Sequence, residues 1–165
     1  MAGLFRGIIE VMKEVFLLTE QDLGGFSERV ATILSEMHTA NSTNKAFVIL
    51  LTGDLGAGKT TFTKSLASVL GIESHTVHSP TFILKKEYKG THAKFKKLIH
   101  VDAYRFNSPE EAKVLRLDED LKDESALIVI EWPSKMTYVR PDMEIDFKVQ
   151  DESTREVTIS YEESQ

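Results

Sequence analysis

The residues from Gly53 to Thr60, GDLGAGKT, have the form G-x-x-x-x-G-K-T, a spacing that serves one kind of chemistry. Glycines at Gly53, Gly56 and Gly58 let the backbone close around a phosphate with its N–H groups turned inward. A helix starting directly after the loop adds its positive end. Lys59 then reaches the β- and γ-phosphates, and the Thr60 hydroxyl is a ligand for Mg²⁺. The loop thus nominates Asp54, Leu55, Gly56, Ala57, Gly58, Lys59, Thr60 and Thr61 as nucleotide contacts. Such a site also needs an acidic residue at the end of a neighbouring strand. Two runs end that way, KLIHVD at Asp102 and ALIVIE at Glu131. One carboxylate would hold the cation and the other polarise an attacking water, and spacing alone leaves open which does which. Between them and the loop lies HSPTF, where Pro80 restricts Ser79 to extended backbone and Thr81 offers a hydroxyl to sense a γ-phosphate. The pair Asp102 and Arg105 reads equally as a catalytic couple or a structural ion pair. His75, His78, His92 and His100 lack the spacing of helical ligand pairs and read as polar packing.

These residues need a scaffold that presents strand ends and a helix start on one edge. Ala46–Thr52 (AFVILLT) and Ala126–Ile130 (ALIVI) are continuous apolar runs, the pattern of strands buried on both faces of a parallel sheet. Thr60–Leu70 is periodic and closed by Gly71, so it is expected to be the helix after the loop. Phe82–Tyr88 and Lys96–Val101 read as strands joined by KGTHAK. Ser108-Pro109-Glu110-Glu111 is a helix start with Ser as N-cap and Pro at the first helical position. Upstream, Lys13–Leu18 reads as a short strand. Glu20–Met37 reads as a helix capped by Thr19 or Asp22, and His38–Lys45 as a loop. EIDFKVQ and EVTISY alternate apolar and polar residues around a DESTR turn, which predicts an antiparallel hairpin. The expectation is an α/β three-layer sandwich of the P-loop NTPase kind, with a central, mostly parallel sheet and an antiparallel C-terminal hairpin. Residues 13–165 form its single domain. Residues 1–12 are expected to form a helical extension, with Leu4, Ile8, Val11 and Met12 near one face.

Composition narrows the partners. The 165 residues carry a formal net charge of −6, which excludes non-specific wrapping of nucleic acid. The absence of cysteine excludes a disulfide partner and thiolate metal sites and points to a reducing cytoplasm. No apolar run approaches the roughly 20 residues of a membrane span, and the N-terminus is broken by Arg6, Glu10, Lys13 and Glu14, so neither membrane nor signal peptide is expected.

Guanine specificity finds no support, because Asp102 is followed by Ala-Tyr-Arg rather than x-x-Gly, and Asn44-Lys45 precedes the loop. A small-molecule kinase would carry a lid of clustered arginines, whereas Arg105, Arg116, Arg140 and Arg155 are scattered. ATP hydrolysis used as a switch fits best, with phosphoryl transfer to a small acceptor as the alternative and a slowly hydrolysing regulator as a third reading.

Taken in order, GDLGAGKTTF, HSPTFILKKEY, LIHVDAYRF, LDEDL and VIEWPSKM resemble the bacterial TsaE family, also called YjeE, from about Val15 to Ser160. The resemblance implies a P-loop ATPase that uses ATP and Mg²⁺ in tRNA threonylcarbamoyladenosine biosynthesis. It further implies association with TsaD and TsaB homologues, and through them with tRNA, with ATP turnover resetting the complex. By the family's pattern Lys59 and Thr60 keep their loop roles and Glu131 supplies the second side-chain contact to Mg²⁺. Asp102 supplies the carboxylate for hydrolysis and Thr81 lies in a switch-like segment. Trp132 and Ser134 lie beside the nucleotide, and Glu20 and Arg155 align with further nucleotide contacts. Two features depart from the family: the first dozen residues, and the basic KKEYKGTHAKFKK. Its lysines would either add tRNA phosphate affinity or guard an exposed sheet edge.

Overall fold

The structure, a computed structural model, describes residues 9–41, 44–80 and 84–164. Seven strands make one mixed sheet: β1 (Ile9–Leu18), β2 (Phe47–Gly53), β3 (Lys85–Lys89), β4 (Lys97–Asp102), β5 (Ala126–Glu131), β6 (Met143–Val149) and β7 (Arg155–Ser164). Their order is β1-β7-β6-β2-β5-β4-β3. The central pairs β6–β2, β2–β5 and β5–β4 are parallel, and the outer pairs β1–β7, β7–β6 and β4–β3 are antiparallel.

The apolar runs explain the centre. Phe47, Val48, Ile49 and Leu51 of β2, and all of Ala126–Ile130 in β5, are buried, because layers lie on both faces. On one face the helices α1 (Leu23–Asn41) and α2 (Lys59–Val69) cover Phe47, Ile49, Leu51, Leu127 and Val129. On the other, Val48, Ile128 and Ile130 pack with Met136, just after β5, and with Leu115 and Leu117 from the segment holding two one-turn helices, α3 (Pro109–Ala112) and α4 (Leu117–Asp120). Each such side chain contributes about 1.5–3 kcal/mol by leaving water. The third layer is therefore short turns rather than long helices. The Ser108 hydroxyl does cap α3 by accepting from the Glu111 N–H.

Several boundaries differ from the sequence reading. Ile9–Met12, expected to be helical, belong to β1, which pairs along its whole length with β7 from Ser164 back to Arg155. Ten ladder positions outweigh a local apolar spacing that fits both periods; residues 1–8 lie outside the described residues. Glu20–Asp22 form a 3-10 turn under a Thr19–Asp22 capping box, and α1 then runs to Asn41, through part of the expected loop. Of the strand expected over Phe82–Tyr88, Phe82 and Ile83 lie outside the described residues, Leu84 takes a φ of 70°, and β3 runs from Lys85.

The lysine-rich hairpin lies at the sheet edge, with β3 outermost. Lys85 pairs with Asp120 at 2.8 Å, Lys97 with Asp123 at 3.1 Å, and Lys94 Nζ donates to the Ser35 carbonyl at 2.6 Å. Half the basic cluster is thus committed inside this chain, an arrangement that favours edge protection over phosphate binding.

Candidate functional site

The strand-to-loop junction forms where β2 emerges between β5 and β6. Gly53 takes a φ of 126°, and a Cβ there would run into the Phe147 carbonyl of β6. Gly58, at the N-cap of α2, takes a φ of 110°, which turns the chain into the helix and leaves the first helical N–H groups facing the loop. Lys59 opens that helix and is buried, and its Nζ donates to the carbonyls of Gly53 at 2.7 Å and Asp54 at 2.8 Å. The Trp132 ring lies under the same ammonium, 3.9 Å from its centroid. Burial pushes Lys59 below the ordinary lysine range, while Glu131, Asp102 and Asp54 pull it partly back.

Two neighbouring parallel strands deliver the carboxylates. Asp102 ends β4 and Glu131 ends β5, and they are register partners, so both sit side by side on the face that α2 covers. The Thr60 hydroxyl lies 2.9 and 3.0 Å from the two Glu131 oxygens. Asp102 accepts from the Tyr104 N–H at 3.0 Å and from the Ser79 hydroxyl at 3.3 Å. Both carboxylates are almost fully buried, at 4% exposure for Asp102 and 3% for Glu131, so they are aimed inward rather than solvated. Trp132 follows with a φ of 57°, a left-handed turn that swings its ring back over the loop, against the edge of Tyr104 at 5.0 Å.

A cavity of about 260 Å³ joins these groups: Leu55, Gly56, Gly58, Lys59, Thr60 and Thr61 from the loop, Asp102 and Glu131 from the strands, and Ser79, Tyr104 and Trp132 around them. Thr61 is shared with a second cavity of about 170 Å³, lined also by Ala57, Glu20 and Arg155. Glu20 and Arg155 continue into a wide surface cleft with Gln21 and Glu152. The structure therefore gathers Lys59, Thr60, Asp102, Glu131 and Trp132 in one place and Glu20, Ala57 and Arg155 next to it, with Thr61 as the common wall. Asp54 contributes its carbonyl to Lys59. Ser134 is exposed on the 3-10 turn after Trp132 and does not line the first cavity. Thr81 lies outside the described residues.

Two lining residues, Ser79 and Tyr104, have no site role in the sequence reading, and neither does His100, which stands behind Glu131 outside the cavity. His100 is fully buried in β4, and its Nε2 lies 2.7 Å from Glu131 Oε1. A histidine in an apolar strand reads as packing, and the signal that could have found this one is its position two residues before a strand-end aspartate.

The donor set suits a hard divalent cation. Thr60 and Glu131 offer oxygen only, and two protein ligands beside a phosphate loop match the preference of Mg²⁺ for phosphate and water partners. No group of three or more His, Cys, Asp or Glu among the described residues forms an independent metal cage. No helix among them is long and apolar enough to cross a membrane.

The family model for the threonylcarbamoyl adenosine biosynthesis protein TsaE matches residues 20–158. A tRNA threonylcarbamoyladenosine biosynthesis protein TsaE from Aquifex aeolicus is 33% identical over 153 residues, covering 92% of this chain and 98% of its own. The protein of the same description from Haemophilus influenzae is 35% identical over 120 residues, covering 73% and 70%. Among solved structures, YdiB of Bacillus subtilis superposes with a TM-score of 0.63 at 26% identity, over 93% of this chain and 87% of that one.

Proposed function

This chain belongs to the TsaE family of tRNA threonylcarbamoyladenosine biosynthesis, and from that premise we propose that it is a Mg²⁺-dependent ATPase, slow alone, that binds and resets a TsaD–TsaB transferase pair. The observation that carries the ATPase reading is the convergence of Lys59, Thr60, Asp102 and Glu131 on one cavity beneath the loop's helix start.

In this reading the loop N–H groups and Lys59 bind the phosphates. Lys59 exchanges its bonds to the Gly53 and Asp54 carbonyls for phosphate oxygens, so its desolvated charge gains an anionic partner. Thr60 and Glu131 hold Mg²⁺, which when bound neutralises charge developing on the phosphate oxygens. Asp102, at the neighbouring strand end, accepts the hydrogen of the attacking water and orients it. Trp132 covers Lys59 and screens the phosphates from bulk solvent. Glu20 and Arg155, beyond Thr61, line the place for the base and ribose. None of Arg105, Arg116, Arg140 and Arg155 lines the phosphate cavity, so the clamp of a phosphoryl-transfer lid has no counterpart there.

The test is ATP turnover of the chain alone and titrated with its cognate TsaD–TsaB pair. A slow basal rate that rises with the pair and vanishes in Lys59→Ala is the expected result. Turnover and nucleotide affinity that both ignore the pair would overturn the partner assignment, and phosphate appearing on a small acceptor would replace hydrolysis by transfer.

A further inference from the structure

Glu131 is gripped from two sides. Thr60 reaches it from the loop, and His100 reaches it from inside the sheet, through a ring with 0% exposure whose Nδ1 has no hydrogen-bond partner among the described residues. Oε1 receives both His100 and Thr60, whereas Oε2 receives Thr60 alone. Because a carboxylate only accepts, Nε2 must carry the hydrogen in this contact. We infer that His100 is a positioning residue for Glu131: by holding Oε1 from within, it fixes the carboxylate beside Thr60 and so tunes how tightly the pair holds a nucleotide-bound divalent cation. This inference rests on the nucleotide–Mg²⁺ reading above.

Glu131 has three side-chain torsions, and an unpinned carboxylate could turn away from Thr60 at small cost. A buried donor at 2.7 Å makes that turn cost a hydrogen bond to a charged acceptor, one of the stronger kinds. The register explains why the donor stands there. His100 and Asp102 share a face of β4, and Asp102 is paired with Glu131 on β5, so the histidine lies one side-chain layer deeper beneath the carboxylate. Hydrogen bonds behind metal-binding groups commonly change metal affinity by about 10–100-fold.

The experiment uses the whole chain, MgCl₂ and a non-hydrolysable ATP analogue, read through the fluorescence of Trp132, the sole tryptophan. Three variants separate position from packing. His100→Gln places an amide nitrogen near the Nε2 position; His100→Asn places it near Nδ1, where no acceptor stands; His100→Leu removes the donor. Thermal midpoints verify that each is folded, and the Gln and Asn pair suffices if the Leu variant is not. The expected result is a Mg²⁺ midpoint raised about tenfold in Leu and Asn and within about threefold of the natural protein in Gln. Analogue affinity in excess chelator should stay within about twofold throughout, because the grip on the phosphates is untouched. Natural midpoints in Leu and Asn, or equal shifts in Gln and Asn, would overturn the inference while leaving the Mg²⁺ reading in place. Analogue binding by the natural protein that is indifferent to Mg²⁺ would overturn that reading and the inference with it.

Discussion

Strand β5 buries every residue from Ala126 to Glu131, whereas β6, on the other side of β2, alternates buried Met143, Ile145 and Phe147 with exposed Glu144, Asp146 and Lys148. The same contrast divides the whole sheet. The parallel half (β2, β5, β4) is sandwiched between two apolar layers, and apart from His100 its buried charged and polar strand residues stand at the strand ends. The antiparallel wing (β6, β7, β1) has α1 on one face and leaves the other open, with Val11, Val15 and Leu17 exposed along the last strand. Parallel strands all finish at one edge, so a half built from them can gather Asp102, Glu131 and the phosphate loop without a dedicated active-site loop. Antiparallel strands return residues from distant parts of the chain. The wing accordingly brings Arg155 beside Glu20, a placement suited to gripping a ligand's far end rather than its reacting atoms.

Four substitutions probe this division of labour. Asp102→Asn should lower ATP turnover by about 100-fold or more while nucleotide affinity and thermal midpoint stay near natural values; a proportional loss of binding would show that the strand end is a ligand grip and not a reaction centre. Leu127→Ala, in the parallel half, should cost about 2–5 kcal/mol in urea unfolding, and Val15→Ala on the open face less than about 0.5 kcal/mol. Similar costs at the two sites would mean that something covers the wing. Arg155→Ala should weaken ATP about tenfold, roughly 1.4 kcal/mol, with little change in turnover at saturation; a fall in saturated turnover would move the wing into the chemistry.

The smallest effect concerns acid. The Ser125 hydroxyl, with Lys97 beside it, holds the Asp123 carboxyl below the usual carboxylate range. A depressed folded value contributes stability above the unfolded value, about pH 4, that is lost as pH falls further through the folded one. Asp123→Asn should therefore lower the thermal midpoint slightly at neutral pH and flatten its decline below about pH 4, so that the two proteins converge in acid. An unflattened curve would remove Asp123 from the account of that edge.

How much of this was legible depends on where the information sits. The loop, β2 and α2 could be read because chemistry and periodicity occupy one continuous stretch, from Phe47 to Val69. Asp102 and Glu131 could be read as strand ends, though their adjacency is a matter of register that no local pattern carries. The start of β1 could not be read. Ile8, Val11, Met12 and Val15 satisfy a helical spacing, and the decision for a strand comes from β7, at the far end of the chain. His100 was hidden for a related reason: its partner is 31 residues away, on another strand.

Gly53 has a consequence for anyone altering this protein's ligand preference. It is the first residue of the phosphate loop and the last of β2, and its backbone presses on Phe147 in the wing. Gly56, three residues on, has a φ of 76° and open space where a side chain would go. In a library randomised across the loop and screened only for soluble, protease-resistant clones, position 53 should return glycine almost uniformly. Position 56 should drift towards asparagine and aspartate, the residues that tolerate a left-handed backbone. A glycine that recognition requires and a glycine that assembly requires would then be told apart within one eight-residue motif, without any nucleotide in the tube.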